Sequence, residues 1–172
     1  MSSFKLKVLL IEAERAGMAR LIQKLVRNRF QTNYKLTVGV DILTKEVEFR
    51  PGETATLSIW DIGDQQRFEF IRSTFYKGAA GALLVFDFTR EPSYDEIKKW
   101  FIEIKKFAGS IPFVLIGNVS QLFKLMNKKI LRKEAHEFAR EEGGIYIETS
   151  PMSIDVIEGA VQKLTREIIE SR

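Results

Sequence analysis

The stretch from Lys7 to Leu21 has the layout of a phosphate-binding loop, with an apolar strand, a turn and a helix in the frame G-x-x-x-x-G-K-[ST]. Glu12 stands in place of the first glycine of this frame, and Gly17 keeps the second. Met18 and Ala19 replace the lysine and the hydroxyl residue. The frame of an anion site is kept, while the side chains that give it positive charge and a metal ligand are replaced.

These replacements change the electrostatics of the loop. Phosphate loops work because glycines let backbone N–H groups converge on the oxyanion, while the lysine and the helix N-terminus add positive charge. Glu12 and Glu14 place carboxylates where phosphate charge would lie. Met18 brings no charge, and Ala19 offers no oxygen to Mg²⁺. The sequence therefore predicts a loop that holds phosphate poorly.

Strands and helices alternate along the chain, apart from one hairpin. Apolar or alternating runs predict six strands, at 5–11, 44–50, 54–60, 81–86, 112–116 and 145–147. Helical spacing predicts five helices, at 18–29, 67–77, 93–107 with Ser93 as its cap, 132–142 and 154–168. Residues 33–40 show neither period and are expected to form a loop or an irregular edge. The pattern predicts a three-layer α/β fold whose six-stranded, mostly parallel sheet has one antiparallel edge strand.

Polar residues follow the predicted parallel strands. They are Glu12, Asp61, Asp87, Asn118 and the group Glu148-Thr149-Ser150. Open sheets of this kind bind ligands beyond the carboxyl ends of their strands. The search for a site therefore narrows to five loops.

Length and composition exclude several classes of protein. At 172 residues the chain is expected to be a single domain over 1–172, since it is too short for two ordinary ones. No apolar run reaches the length of a membrane span, and without cysteine the chain has no residue for a prenyl anchor. The net charge of +4, from 27 basic and 23 acidic residues, indicates a solvated surface more than a nucleic-acid site. We expect a cytoplasmic monomer with no membrane or nucleic-acid partner.

The stretch from Trp60 to Phe68, together with 73–79 and 85–89, resembles a Ras-superfamily small GTPase of the Rab type. The segment from Thr37 to Asp41 resembles the first switch, and Asn118 opens the place of the guanine motif N-K-x-D. Residues 148–150 resemble the start of the last nucleotide loop. The resemblance covers nearly the whole chain and implies the P-loop NTPase-like fold of small GTPases.

Departures from the family pattern fall where the resemblance places the nucleotide. Asp64 replaces the glycine that faces the γ-phosphate, and Gln121 replaces the aspartate that recognises guanine. Met152 replaces the lysine of the last loop. The residues that still match the family pattern are Gly17, Thr37, Asp61, Gln65, Asn118 and Ser150.

A simple sum suggests that these losses are large. Hydrogen bonds to charged groups contribute about 1.5–3 kcal/mol each, so losing the loop lysine, the metal-binding hydroxyl and the guanine aspartate removes about 4.5–9 kcal/mol. That is about three to six factors of ten in affinity. We therefore expect no GTP, GDP or Mg²⁺ cofactor and no enzymatic activity. In the family, Gln65 would orient the attacking water, and Thr37 and Asp61 would help to hold Mg²⁺; here they are expected to be vestigial.

The sequence favours a nucleotide-independent pseudo-GTPase, natural or redesigned, that acts as a protein-interaction module or a stable scaffold. The alternative is an atypical small GTPase that still binds and hydrolyses GTP weakly. Apolar residues near the altered loops are expected either to fill the former pocket or to form an interface. They are Met18, Leu122, Phe123, Leu125, Met126, Met152, Ile154 and Val156.

Protein partners of Rab-like proteins read an apolar triad, which the resemblance maps to Ile42, Trp60 and Phe75. Alternatively, these three residues only pack the sheet edge against a helix. Two other classes of site are weaker. A phosphoacceptor receiver domain conflicts with the hairpin, and a hard-cation site would need the carboxylates of Glu12, Glu14, Asp61 and Asp64.

Overall fold

The computed structural model describes residues 4–13, 33–36, 40–62, 69–87, 91–118, 129–149 and 154–172. The strands in these ranges are β1 (Phe4–Glu12), β2 (Asn33–Leu36), β3 (Val40–Arg50), β4 (Glu53–Asp61), β5 (Gly81–Asp87), β6 (Phe113–Asn118) and β7 (Ile145–Thr149). The helices are α1 (Glu69–Tyr76), α2 (Glu91–Ala108), α3 (Lys129–Glu141) and α4 (Ile154–Glu170). None of the described helices is long and apolar enough to cross a bilayer.

The described strands form one sheet in the order β2-β3-β4-β1-β5-β6-β7. The pairs from β4 through β1, β5 and β6 to β7 are parallel. β3 pairs antiparallel with both β2 and β4. All five parallel strands therefore end at the same edge of the sheet.

Each face of the sheet is covered by helices, because strand residues alternate between the two faces. Leu6, Val8 and Leu10 of β1 join a core with Ile157 and Leu164 of α4. On the opposite face, the intervening residues of β1 and β5 pack against α1, α2 and α3. This second core contains Leu9, Ile11, Leu84, Tyr76, Ile97, Trp100, Ile104, Ala135 and Ala139. Because β5 and β6 are apolar on both faces, they read as continuous apolar runs.

The hairpin between β3 and β4 turns at Gly52, whose φ of 78° lies in the left-handed region that glycine adopts without strain. The Gly52 N–H donates to the Glu48 carboxylate at 3.0 Å. The pairing register shifts between Glu48 and Arg50, next to this turn. The sequence signal Pro51-Gly52-Glu53 therefore predicts the turn correctly.

The predicted fold class is confirmed, with α/β layers and an antiparallel β3 in a mostly parallel sheet. One detail differs, because residues 33–36 add a short β2 outside β3, where a loop or irregular edge was expected. A strand of four residues is too short to show an alternation of apolar and polar residues in the sequence. Its extended conformation depends on pairing with β3. The predicted helix at 18–29 lies outside the described residues.

One smaller expectation is wrong. α2 begins at Glu91, so Ser93 lies inside its first turn and is not its cap. Pro92 is tolerated there because the first turn of a helix leaves its N–H groups unpaired. Val156 of α4, for which either pocket filling or an interface was expected, is 42% exposed, which is consistent with the interface alternative.

Candidate functional site

The candidate site lies at the edge where the parallel strands end. Asp61 of β4 pairs with Leu10 of β1. Leu10 lies two residues before Glu12. Asn118 pairs with Asp87 on one side and with Thr149 on the other. The structure thus places the polar strand ends predicted from the sequence side by side along one edge.

Backbone hydrogen bonds fix the position of the residue that follows β1 and of the residue that follows β4. The Ala13 N–H donates to the Val85 carbonyl at 2.8 Å, and the Ile62 N–H donates to the Leu10 carbonyl at 3.3 Å. The polar groups at the other end of the row are also held within the protein, since Asn118 is 8% exposed and Thr149 is 4% exposed. The loops that follow these strands therefore begin at fixed positions along the edge of the sheet.

Glu12 is the most unusual group at this edge. Its Oε1 atom is buried and accepts no hydrogen bond from the residues that the structure describes. Burial raises the pKa of this carboxyl to about 8, and the nearby Asp61 carboxylate adds to the increase. Glu12 is therefore mostly protonated at pH 7, and it repels an anion less than its residue type suggests.

The described residues contain no group of three or more histidine, cysteine, aspartate or glutamate side chains that could hold a metal ion. They do place the buried, unpaired Glu12 oxygen near Asp61. Mg²⁺ needs no complete protein cage, since one or two carboxylates, waters and substrate phosphates commonly supply its ligands. The Asp61 carboxylate therefore fits as a protein ligand of a Mg²⁺ ion that enters together with a phosphate ligand, whereas the protonated Glu12 carboxyl does not bind the ion.

A second polar cluster supports the end of β7. Arg132 of α3 donates from Nε and Nη2 to the two oxygens of Glu148, the latter bond measuring 2.8 Å. The Tyr146 hydroxyl donates to the same carboxylate at 2.8 Å. Burial, followed by this hydrogen bond, raises the pKa of Tyr146 above its usual value. Glu148 lies directly before Thr149, so the cluster ties the start of the last loop to α3.

The three residues predicted as a partner surface are brought together. Ile42 lies opposite Trp60 in the β3–β4 ladder. The Trp60 ring contacts the Phe75 ring of α1, with 5.9 Å between centroids. The Lys7 ammonium stands 3.9 Å from the Trp60 ring centroid and donates to the Lys77 carbonyl at 2.8 Å. All three side chains are half-buried, so each keeps some area at the surface.

Ten of the predicted site residues lie outside the described residues. They are Glu14, Gly17, Met18, Ala19, Thr37, Asp64, Gln65, Gln121, Ser150 and Met152. Of the proposed pocket fillers, Leu122, Phe123, Leu125 and Met126 also lie outside.

Sequence reasoning missed ion pairs that join different elements, among them the buried pair of Arg72 with Glu103 and the more exposed pair of Arg132 with Glu148. In the sequence these four residues look like ordinary charges on helix or strand surfaces. No spacing within one element could have paired them, since each pair joins two elements.

Comparison with known proteins identifies the family. Residues 7–170 match the Ras family. The chain is 34% identical over 167 residues to Ras-related protein RGP2 of Oryza sativa subsp. japonica, covering 96% of this chain and 76% of the relative. It is 35% identical over 163 residues to Ras-related protein YPTC6 of Chlamydomonas reinhardtii, covering 94% and 74%. Ras-related protein Rab-11A of Dictyostelium discoideum is 32% identical over 163 residues, covering 94% and 75%.

These matches overturn two expectations drawn from the altered loops, that the chain is not an enzyme and that it has no GTP, GDP or Mg²⁺ cofactor. Ras and Rab proteins are GTPases that bind guanine nucleotide with Mg²⁺, and the match spans every altered loop. The sum of lost contacts counted side chains only, whereas backbone N–H groups bind phosphate whatever the side chain is. It also treated neighbouring contacts as additive. The chain belongs to the Ras family of small GTPases, and its relatives include Rab-type members.

Proposed function

We propose that the protein is an atypical small GTPase that binds guanine nucleotide weakly and hydrolyses GTP slowly. The main support is the family match from residue 7 to 170, which spans all five strand-end loops. The polar row from Glu12 to Thr149 at the carboxyl edge of the sheet is consistent with it. Ligands of open α/β sheets bind at this edge.

The proposed roles follow the family pattern. Thr37 and Asp61 would hold Mg²⁺, which would neutralise charge on the phosphates. Gln65 would orient the attacking water, and Asn118 and Ser150 would contribute to the guanine site. The protein contributes positioning and electrostatic stabilisation, as in other phosphoryl transfer reactions.

Weak binding follows from the replaced side chains. Met18 supplies no charge to the phosphates, and Ala19 supplies no oxygen to the metal. Glu12 partly offsets the loss at neutral pH, because its protonated carboxyl carries no negative charge that would repel the phosphates. The affinity is therefore expected to fall as pH rises above 8.

We also propose that a protein partner binds the surface formed by Ile42, Trp60 and Phe75. The ring contact between Trp60 and Phe75 and the cross-strand position of Ile42 support this role. A single domain, a monomeric state, a cytoplasmic location and the absence of a nucleic-acid partner stay predictions from the sequence.

The test restores the missing loop chemistry. The double variant Met18→Lys/Ala19→Ser and the wild-type protein are titrated with fluorescent GDP in the presence of Mg²⁺. A restored contact to charge is worth about 1.5–3 kcal/mol and neighbouring contacts need not add, so the variant is expected to bind at least about tenfold more tightly. Thr54→Lys, which adds one positive charge at an exposed position at the start of β4, the opposite end of that strand from Asp61, is the control and leaves the affinity unchanged. Absence of saturable binding in both the wild type and the double variant would refute the proposal.

A further inference from the structure

A cavity lies where α2 and α3 end, on the face of the sheet that these helices cover. Its volume is about 230 Å³. It is lined by residues of β5, β6, α2 and α3 and by the segments that follow the two helices. An apolar cavity of about 150 Å³ is large enough to hold benzene. The cavity therefore has room for one substituted aromatic ring.

The cavity is remote from the polar strand ends. Two of its lining residues, Ala82 and Phe113, lie at the start of β5 and of β6. The proposed nucleotide site lies at the other ends of these strands, beside Asp87 and Asn118. The five steps from Ala82 to Asp87 span about 16 Å along a strand. A ligand in the cavity would therefore occupy a separate place.

The floor of the cavity is apolar and partly aromatic. Leu84 and Ile104 line it and are buried in the second core. The rings of Phe101 and Phe113 have centroids 5.0 Å apart and planes tilted by 51°. Phe113 is buried, whereas Phe101 keeps part of its surface exposed. Because aromatic rings favour tilted or offset contacts with one another, this pair offers a surface to a third ring.

The walls of the cavity are held in place by contacts within the protein. The Gly109 N–H donates to the Lys105 carbonyl at 3.1 Å, and the Glu142 N–H donates to the Phe138 carbonyl at 3.0 Å. The Lys105 ammonium also lies 3.3 Å from the Glu142 carboxylate, so an ion pair joins the two helical walls. A preformed site lowers the entropic cost of binding.

The charge at the rim of the cavity favours a cation. The charged residues that line it are Lys105, Glu141 and Glu142, so negative charge is in excess. Lys106 and Arg140 lie in the last turns of the same helices but do not line the cavity. Both helices end at this rim, and a helix C-terminus carries partial negative charge. The rim therefore attracts an ammonium group more than a carboxylate.

We propose that this cavity binds a small aromatic amine. The ring of the ligand lies on Phe101 and Phe113, and its protonated amine lies at the rim, where Glu141 and Glu142 accept its hydrogen bonds. The ammonium competes with Lys105 for the Glu142 carboxylate. The proposal does not rest on the proposed GTPase activity, since the cavity shares no residue with the row of polar strand ends.

Amide chemical shifts in NMR spectra of the wild-type protein test this binding. The probe is 2-phenylethylamine at pH 7, added up to about 10 mM because a ligand of this size binds weakly. We expect saturable shifts of the Gly109, Ser110 and Gly144 amides. The matched probe is 3-phenylpropionate, which carries the same ring and a carboxylate, and it is expected to bind at least about fivefold more weakly.

Two charge variants are expected to change the affinity for 2-phenylethylamine in opposite directions. Lys105→Gln releases Glu142 from its ion pair and raises the affinity about two- to fivefold, as expected for partly exposed charges. Glu142→Gln removes an acceptor and lowers the affinity by a similar factor. Glu137→Gln is the control, since it removes an exposed carboxylate of α3 that does not line the cavity, and it leaves the affinity unchanged.

Three results would overturn the proposal. The first is the absence of saturable shifts at Gly109, Ser110 and Gly144 in the wild-type protein. The second is equal affinity for the amine and the carboxylate probe, which would show that the rim does not select a cation. The third is a change of affinity in the same direction in Lys105→Gln and Glu142→Gln, because carboxylates that hold the amine require opposite changes.

Discussion

Burial decides what individual charged residues do in this protein. The sequence identifies Glu12 as a carboxylate near the phosphate position, but only the structure shows that its Oε1 atom is buried, with no hydrogen-bond partner in the described part of the chain. Burial keeps the group neutral over most of the physiological range, so the repulsion inferred from its residue type is too large. Arg72 differs from Glu12, because it keeps its charge inside the protein. From the sequence it looks like a surface residue, but its side chain is buried and forms an ion pair with Glu103.

Glu12→Gln is expected to change how stability depends on pH. The pKa of Glu12 is about 8 in the folded protein and about 4.5 in a free side chain, so the folded state binds more protons between these values. Wild-type stability therefore falls as pH rises from about 4.5 to 8, and the glutamine variant lacks this loss. The variant is expected to be about 2–4 kcal/mol more stable at pH 9 and nearly equal at pH 4. Urea unfolding at both pH values measures the difference.

Glu46→Gln is the control for this prediction, since Glu46 is an exposed carboxylate on β3. It is expected to shift stability by less than about 0.5 kcal/mol at either pH. Equal stability of wild type and Glu12→Gln at pH 9 would show that Glu12 is not buried as described.

At the scale of elements, periodicity predicts most of the fold. Apolar runs locate β5 and β6 because both faces of these strands are covered, and alternation locates the hairpin. The row of polar strand ends also follows from the sequence, because parallel strands end at one edge. The pairing of Arg72 with Glu103 does not follow, since it depends on how two helices dock.

A pair of glycine substitutions tests the packing of these elements. A Cβ added at Gly144, which precedes β7, would lie 2.3 Å from the Cζ atom of Phe113. The Phe113 ring is 1% exposed and has Phe101 5.0 Å away, so it has little room to move. Gly144→Ala is therefore expected to destabilise the protein by about 1–3 kcal/mol in urea unfolding.

Gly159 provides the contrasting position, because it lies within α4 and a Cβ there meets no atom within 4 Å. Gly159→Ala is expected to stabilise the protein by about 0.5–1 kcal/mol, since alanine loses less backbone entropy in a helix. Similar effects of the two substitutions would contradict the close contact between Phe113 and the backbone at Gly144.

At the scale of the whole molecule, the chain keeps an α/β fold with a mostly parallel sheet although several side chains of its nucleotide loops depart from the family pattern. Two separate cores on the two faces of the sheet hold the strand ends in place. This framework depends on apolar residues throughout the chain, and changes at Met18 or Gln121 leave it intact. The family could therefore be recognised from the sequence, whereas the expected loss of function could not be derived from a sum of missing contacts.

The central claim is that the protein hydrolyses GTP. Phosphate release is measured under single-turnover conditions, with protein in excess over GTP and with Mg²⁺, for the wild type and for Gln65→Leu. We predict slow release at or below the intrinsic rate of small GTPases, about 10⁻⁴ s⁻¹, and a further decrease of at least about tenfold in the variant. Wild-type release no faster than in a sample without protein would contradict the account.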